Sequence, residues 1–127
     1  MGYAPGMRFS SEELRLLDAS QEVEIETVGH DGTVHGTIIW VVVDDETVLI
    51  RSDSGPGAGW YREALANPAV AIHLDGRRLS ATAVPATDPD SIERASAGYR
   101  RKYAGDPATP AMVAEDNLPT NLRLAPA

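Results

Sequence analysis

Cysteine is absent from this 127-residue chain. Disulfide scaffolds, zinc ribbons, iron–sulfur clusters and thiol nucleophiles are thereby excluded. Lysine occurs once, at Lys102, among charged residues rather than in an apolar pocket, which makes Schiff-base chemistry a poor reading. No long hydrophobic run is present: the longest, residues 38–43, is far too short to span a bilayer. No basic stretch followed by an apolar one opens the chain, so the cytoplasm is the expected location. Positive charge is scarce as well: Lys and Arg total 11 against 19 Asp and Glu, for a formal net charge of −8. Non-specific nucleic-acid binding needs basic side chains that displace counterions from phosphates, and an anionic membrane surface makes the same demand, so neither is an expected partner.

What remains is a chain whose length fits one domain with a real core. Residues 1–20 are expected to be an N-terminal helical segment and residues 21–126 a barrel. Ser10, with Glu13 three residues on, reads as a capping box that opens a helix to Asp18, with Leu14 and Leu17 inward. In Val23–Val28, Val23, Ile25 and Thr27 alternate with acidic residues, and His30-Asp31-Gly32 turns the chain. Residues 33–43 read as one long strand, apolar on both faces over 38–43, which predicts cover on both sides. Residues 47–51 return after an acidic turn. A Gly/Pro/Ser loop over 52–59 leads to a short helix at 60–66, which Asn67-Pro68 ends. Residues 70–74 and 79–85 are further strands. Asp88-Pro89 starts a helix that presents Ile92, Ala95, Ser96, Tyr99 and Tyr103 on one face. Residues 121–124 form a last strand. Six short antiparallel strands with two or three small helices predict an α+β fold, a barrel or strongly coiled sheet.

Chemistry concentrates in residues 50–62. A strand end delivers Arg51 and Ser52, a glycine-rich loop leaves backbone amides approachable, and a helix N-terminus follows with its partial positive charge. A phosphate on a small cofactor would suit these parts, although they form neither a Walker loop nor a dinucleotide fingerprint. A flexible surface loop is the alternative.

Arg51-Ser52, the glycine loop and the block from Trp60-Tyr61 to Asn67-Pro68-Ala69-Val70 resemble the pyridoxamine-phosphate-oxidase-like, FMN-binding split-barrel superfamily. Its deazaflavin-dependent nitroreductase branch has a similar Trp-Tyr…Asn-Pro block. An uncharacterised family of the same fold is more similar still, sharing the strand that carries Trp40, the Lys102-Tyr103 pair and the late strand over 120–126. The resemblance, over residues 21–126, implies a split β-barrel and a homodimer with a flavin or deazaflavin in the groove between subunits. It also implies that Arg51 and Ser52 meet the cofactor phosphate, helped by amides from Ser54 to Gly59, Gly57 among them. Trp60 and Tyr61 would wall the cofactor, and Trp40 would lie near the ring. Core packing is the better reading of Trp40 and an equal reading of Trp60.

Two departures bear on the cofactor. Asp53 stands where that branch has lysine, and His30-Asp31-Gly32 replaces its basic turn. A carboxylate beside a phosphate is repulsive, and an acidic protein repels a polyglutamate tail. FMN is therefore favoured over the deazaflavin coenzyme F-420, with no cofactor as a third case. His30, His35 and His73 lack metal-ligand spacing. His35 is a polar strand residue or a proton donor near the ring. Arg100, Arg101 and Lys102 form a solvated helix face or reach an anionic tail.

The leading expectation is an oxidoreductase that transfers hydride between a bound flavin-type cofactor and a small organic substrate, with no catalytic side chain identified. The alternative is a cofactor-free, haem- or metabolite-binding module using the same groove. A hydrolase fares worst, because Ser52 and Ser54 lack an evident base.

Overall fold

The computed structural model describes residues 8–127, so residues 1–7 of the expected N-terminal segment lie outside the described residues. Helix α1 (Ser11–Ala19) forms where the capping box predicts: the Ser10 hydroxyl accepts from the Glu13 N–H at 3.0 Å while the Ser10 N–H donates to the Glu13 carboxylate at 2.8 Å. Leu17 is its buried anchor.

Seven strands follow the alternating runs: β1 (Val23–Val28), β2 (Val34–Ile39), β3 (Val42–Asp44), β4 (Thr47–Ile50), β5 (Ala69–Leu74), β6 (Arg77–Pro85) and β7 (Leu122–Pro126). Between them lie α2 (Gly59–Ala66), α3 (Pro89–Lys102) and α4 (Thr109–Met112). All strand pairs are antiparallel, in the order β2-β1-β5-β6-β7-β4-β3. The β5–β6 hairpin turns on Asp75-Gly76, both at positive φ, as a tight two-residue turn between twisted strands requires.

β2 and β3 are neighbours in the chain yet stand at opposite edges of the sheet. Only Trp40 and Val41 join them, so the sheet must curl until its ends lie one dipeptide apart. The result is the expected α+β antiparallel split barrel, with seven strands rather than six. The expected single strand over 33–43 breaks because its halves pair with different partners: Ile39 opposes Val23 on β1, and Val42 opposes Leu49 on β4. Backbone groups that leave a ladder need other partners. At Val41 these come from the end of α3: Lys102 Nζ donates to the Val41 carbonyl at 2.7 Å, and the Tyr103 hydroxyl accepts from the Val41 N–H at 3.4 Å while donating to the Gln21 carbonyl at 2.8 Å. Lys102 thus leaves the solvated face expected of it, whereas Arg100 and Arg101 are exposed. Burial lowers the Lys102 ammonium to about 8.

The two-sided apolar pattern finds two cores. Val48 and Ile50 face the barrel interior with Ile25, Ile72 and Leu122, while Val42 and Leu49 face outward under α3, against Ala95, Tyr99 and Tyr103. Ile38 departs from the expected cover, being 59% exposed on the β2 edge. Among the described residues no helix is long and apolar enough to cross a membrane.

Candidate functional site

The strand that breaks at Trp40 and the glycine loop after β4 face each other across a cleft of ≈ 250 Å³. Ile38, Ile39 and Trp40 form one wall; Arg51, Asp53, Ser54, Ala58 and Trp60 form the other, and Met112 closes an end. Trp40 is held by stacking on Tyr103, with ring centroids 3.8 Å apart and planes 1° apart. Trp60 is fixed edge-on to Tyr61, 6.1 Å between centroids at 84°. Stacked and edge-on pairs of this kind orient rings as well as burying them.

The loop is a hydrogen-bonded turn. The buried Ser52 hydroxyl donates to the Gly55 carbonyl at 2.9 Å and accepts from the Ser54 N–H at 3.1 Å. Gly55 sits at φ +75°, a left-handed conformation that favours glycine, and Asn117 donates to the Asp53 carbonyl at 3.2 Å. α2 then begins at Ala58, which has extended geometry but no side-chain oxygen, and its first turn holds no acidic residue. Its leading N–H groups therefore lack a side-chain cap. A Cβ at Gly59 would meet nothing within 4 Å, so the space beside the first residue of α2 is open.

Arg51 is 1% exposed. Its guanidinium donates to Asn121 Oδ1 at 3.2 Å, Ser96 Oγ at 3.0 Å, the Met112 carbonyl at 3.2 Å and the Ile92 carbonyl at 3.1 Å. Four of its five N–H groups are thereby taken by neutral acceptors, and it lies 5.5 Å above the Tyr99 ring. Burial lowers its pKa and pushes the Tyr99 phenol up; the Tyr99 hydroxyl has no hydrogen-bond partner among the described residues. Arg51 is the one cation among the cleft's lining residues, and Glu22 and Asp53 share that lining.

Of the eight residues singled out by sequence, Trp40, Arg51, Ser54 and Trp60 line the cleft together. Ser52 shapes the loop beneath it. Tyr61 is buried, its hydroxyl donating to the Pro119 carbonyl at 3.4 Å. Gly57 lies at the end of the loop's 3-10 turn, and Gly59 lines a different cavity. Sequence reasoning missed Ser96 and Asn121, the side chains that hold Arg51. A signal existed for Ser96, a polar residue inside the apolar face of α3. Among the described residues no group of three or more His, Asp or Glu side chains could hold a metal ion.

The family described as "Uncharacterized protein conserved in bacteria (DUF2255)" matches residues 13–124. No curated protein matches the sequence. Among solved structures, the fold is similar to HutZ, the haem storage protein of Vibrio cholerae, with 17% identity, 95% of this chain and 92% of that chain covered, and a TM-score of 0.64. It is similar to a candidate pyridoxamine 5'-phosphate oxidase of Listeria innocua, at 16% identity, 91% and 90% coverage and a TM-score of 0.61. It is also similar to an F-420-H2-dependent reductase, at 14% identity, 83% and 93% coverage and a TM-score of 0.62. At these identities the likeness shows the fold alone, a split β-barrel.

Proposed function

The chain belongs to this family of uncharacterized bacterial proteins, so its reaction is read from its site: we propose that it binds a flavin-type cofactor, FMN or a deazaflavin, in the cleft between Trp40 and Trp60 and transfers hydride to or from a small organic substrate. One observation carries the reading. Two oriented indoles flank a helix terminus that has neither cap nor acid, above a buried guanidinium with no carboxylate partner. A planar ring and a phosphate suit these parts, because an uncapped helix start and a fixed positive potential favour an anion.

The division of labour differs from the one the resemblance implies. Arg51 and Ser52 have internal partners and the Ala58 N–H donates to the Gly55 carbonyl, so the phosphate contacts fall to the leading N–H groups of α2, at residues 59–61. Arg51 acts from beneath through its charge and its remaining N–H. A flavin-type ring supplies the hydride chemistry when bound; this chain orients it, excludes water and sets its electrostatics. Glu22 and Asp53 beside the cleft disfavour a polyanionic tail, which favours FMN.

The cleft is also smaller than the ~300–1,000 Å³ usual for small-molecule sites. Ile38 lines it at 59% exposure, and Val34, on the same outward row of β2, is 61% exposed. A second copy of this chain seated on β2 would cover both and complete the groove, and a homodimer is part of the proposal. The similarities to an F-420-H2-dependent reductase and a candidate pyridoxamine 5'-phosphate oxidase support the cofactor class.

A second reading, a haem- or metabolite-binding module, is favoured by one fact: the donors of Arg51 are largely taken, which suits a planar ligand without phosphate. Absorption spectra after incubation with FMN, the deazaflavin and haem separate the two. A retained flavin-type band with a raised melting temperature is expected. A Soret band alone would establish the haem form of the second reading, and a colourless protein with unchanged melting would overturn the flavin and haem readings alike.

A further inference from the structure

The outward face of α2 borders a second and larger cavity. Gly59, Arg62, Glu63 and Ala66 meet Val28, Gly29 and His30 of the β1–β2 turn around ≈ 660 Å³. At its wall the Glu63 carboxylate accepts from the Thr27 hydroxyl at 2.7 Å and lies 2.8 Å and 3.0 Å, through its two oxygens, from Nδ1 of His35. Thr27 is fully buried, so Glu63 is oriented from behind by a fixed donor. The Thr27 and His35 hydrogen bonds, in that order, hold its carboxyl below the usual carboxylate range.

An ionised carboxylate only accepts, so Nδ1 of His35 carries the proton and the neutral ring leaves Nε2 bare. The His35 side chain is half exposed, and Nε2 has no hydrogen-bond partner among the described residues. Gly29 faces the pair. A Cβ there would come within 3.3 Å of the Glu63 carboxylate, 3.5 Å of His35 Cε1 and 3.2 Å of Asp31 Oδ1. Asp31, the other carboxylate nearby, accepts from the Thr33 N–H at 2.9 Å. Arg62 lines the cavity and forms no ion pair among the described residues. A surface ion pair requires neither a buried hydroxyl behind it nor a glycine in front; a working imidazole benefits from both.

We infer that His35, positioned by Glu63 and Thr27, is the proton-carrying group of an acid–base site that takes a small organic anion held by Arg62. Nε2 accepts a proton from an acidic O–H or C–H of the ligand, whose bonding electrons stay with the ligand. The resulting imidazolium is stabilised by Glu63, and the reverse step returns the same proton. The site stands apart from whatever occupies the Trp40 cleft.

Long-range proton–nitrogen NMR of the full chain tests it, with inorganic phosphate and acetate as probes of the two common anionic groups. The neutral His35 ring should be the Nδ1–H tautomer in the wild type and lose that preference in Glu63→Gln. Phosphate or acetate should shift the His35 resonances, whichever is effective reporting the headgroup preferred. Arg62→Ala should weaken that response about tenfold, the scale of one charge-assisted contact, with the His35 tautomer unchanged. An Nε2–H tautomer in the wild type, no response to either anion, or an equal response in Arg62→Ala would each overturn the assignment.

Discussion

At the scale of single residues, Arg51 is the position where sequence and structure are most instructive together. An arginine opening a glycine loop is visible in the sequence, and so is a use for it. Its actual partners are not, because Asn121 and Ser96 lie 70 and 45 positions away, and the fold alone brings them round. The same holds for Ser52, whose hydroxyl is occupied three residues on, within a loop that reads equally as loose or ordered. Arg51 is consequently a structural as well as an electrostatic residue. Arg51→Met should lower unfolding stability by at least about 3 kcal/mol, since it orphans several buried acceptors. Urea denaturation checks this, and a loss under about 1 kcal/mol would mean the network is slack. Binding tests of the cleft must therefore use other positions.

At the scale of elements, what local chemistry decides was legible. The Ser10 capping box, the Asp88 cap with Pro89 after it, and the alternation in β1 and β5 all depend on residues within a few positions of one another. What distant pairing decides was not. The break at Trp40-Val41 has no proline, glycine or polar residue to announce it; it exists because β1 and β4 compete for one apolar run. α3 secures the far side of that break by packing closely on β3. A Cβ at Gly98 would lie 3.2 Å from the Val42 Cβ and 3.3 Å from one of its methyls, with no room to yield in a buried contact. Gly98→Ala should therefore destabilise by about 1–3 kcal/mol, despite alanine's better helix propensity. A rise in melting temperature would show that α3 can move off the sheet.

At the scale of the whole molecule, the acidic balance makes acid the informative perturbation. Glu26 joins three strands on the outer face of the sheet, bonded to Arg78 at 2.8 Å and 3.1 Å and to His73 at 2.8 Å. The Arg78 and then the His73 hydrogen bonds hold its carboxyl at about 2, below the ordinary 4.5. A carboxylate lowered in the folded state binds fewer protons there than in the unfolded chain. Its stabilisation is thus complete above about pH 4.5 and is lost as pH falls toward 2. Glu26→Gln should be less stable than wild type at pH 6 and show a flatter acid limb; urea midpoints across pH 2–6 measure both. Parallel acid limbs would remove Glu26 from the account.

The central claim is that the bare start of α2 receives the phosphate of a flavin-type cofactor, and Ala58→Asp tests it most directly. An aspartate at this N-cap supplies the missing acceptor and should stabilise the empty protein by about 1 kcal/mol. The same carboxylate occupies and repels the place of a phosphate, so the melting-temperature rise produced by FMN should disappear. A variant that is more stable yet no longer responds to FMN is the predicted result. Ala58→Asp protein that FMN stabilises as much as wild type would contradict the account.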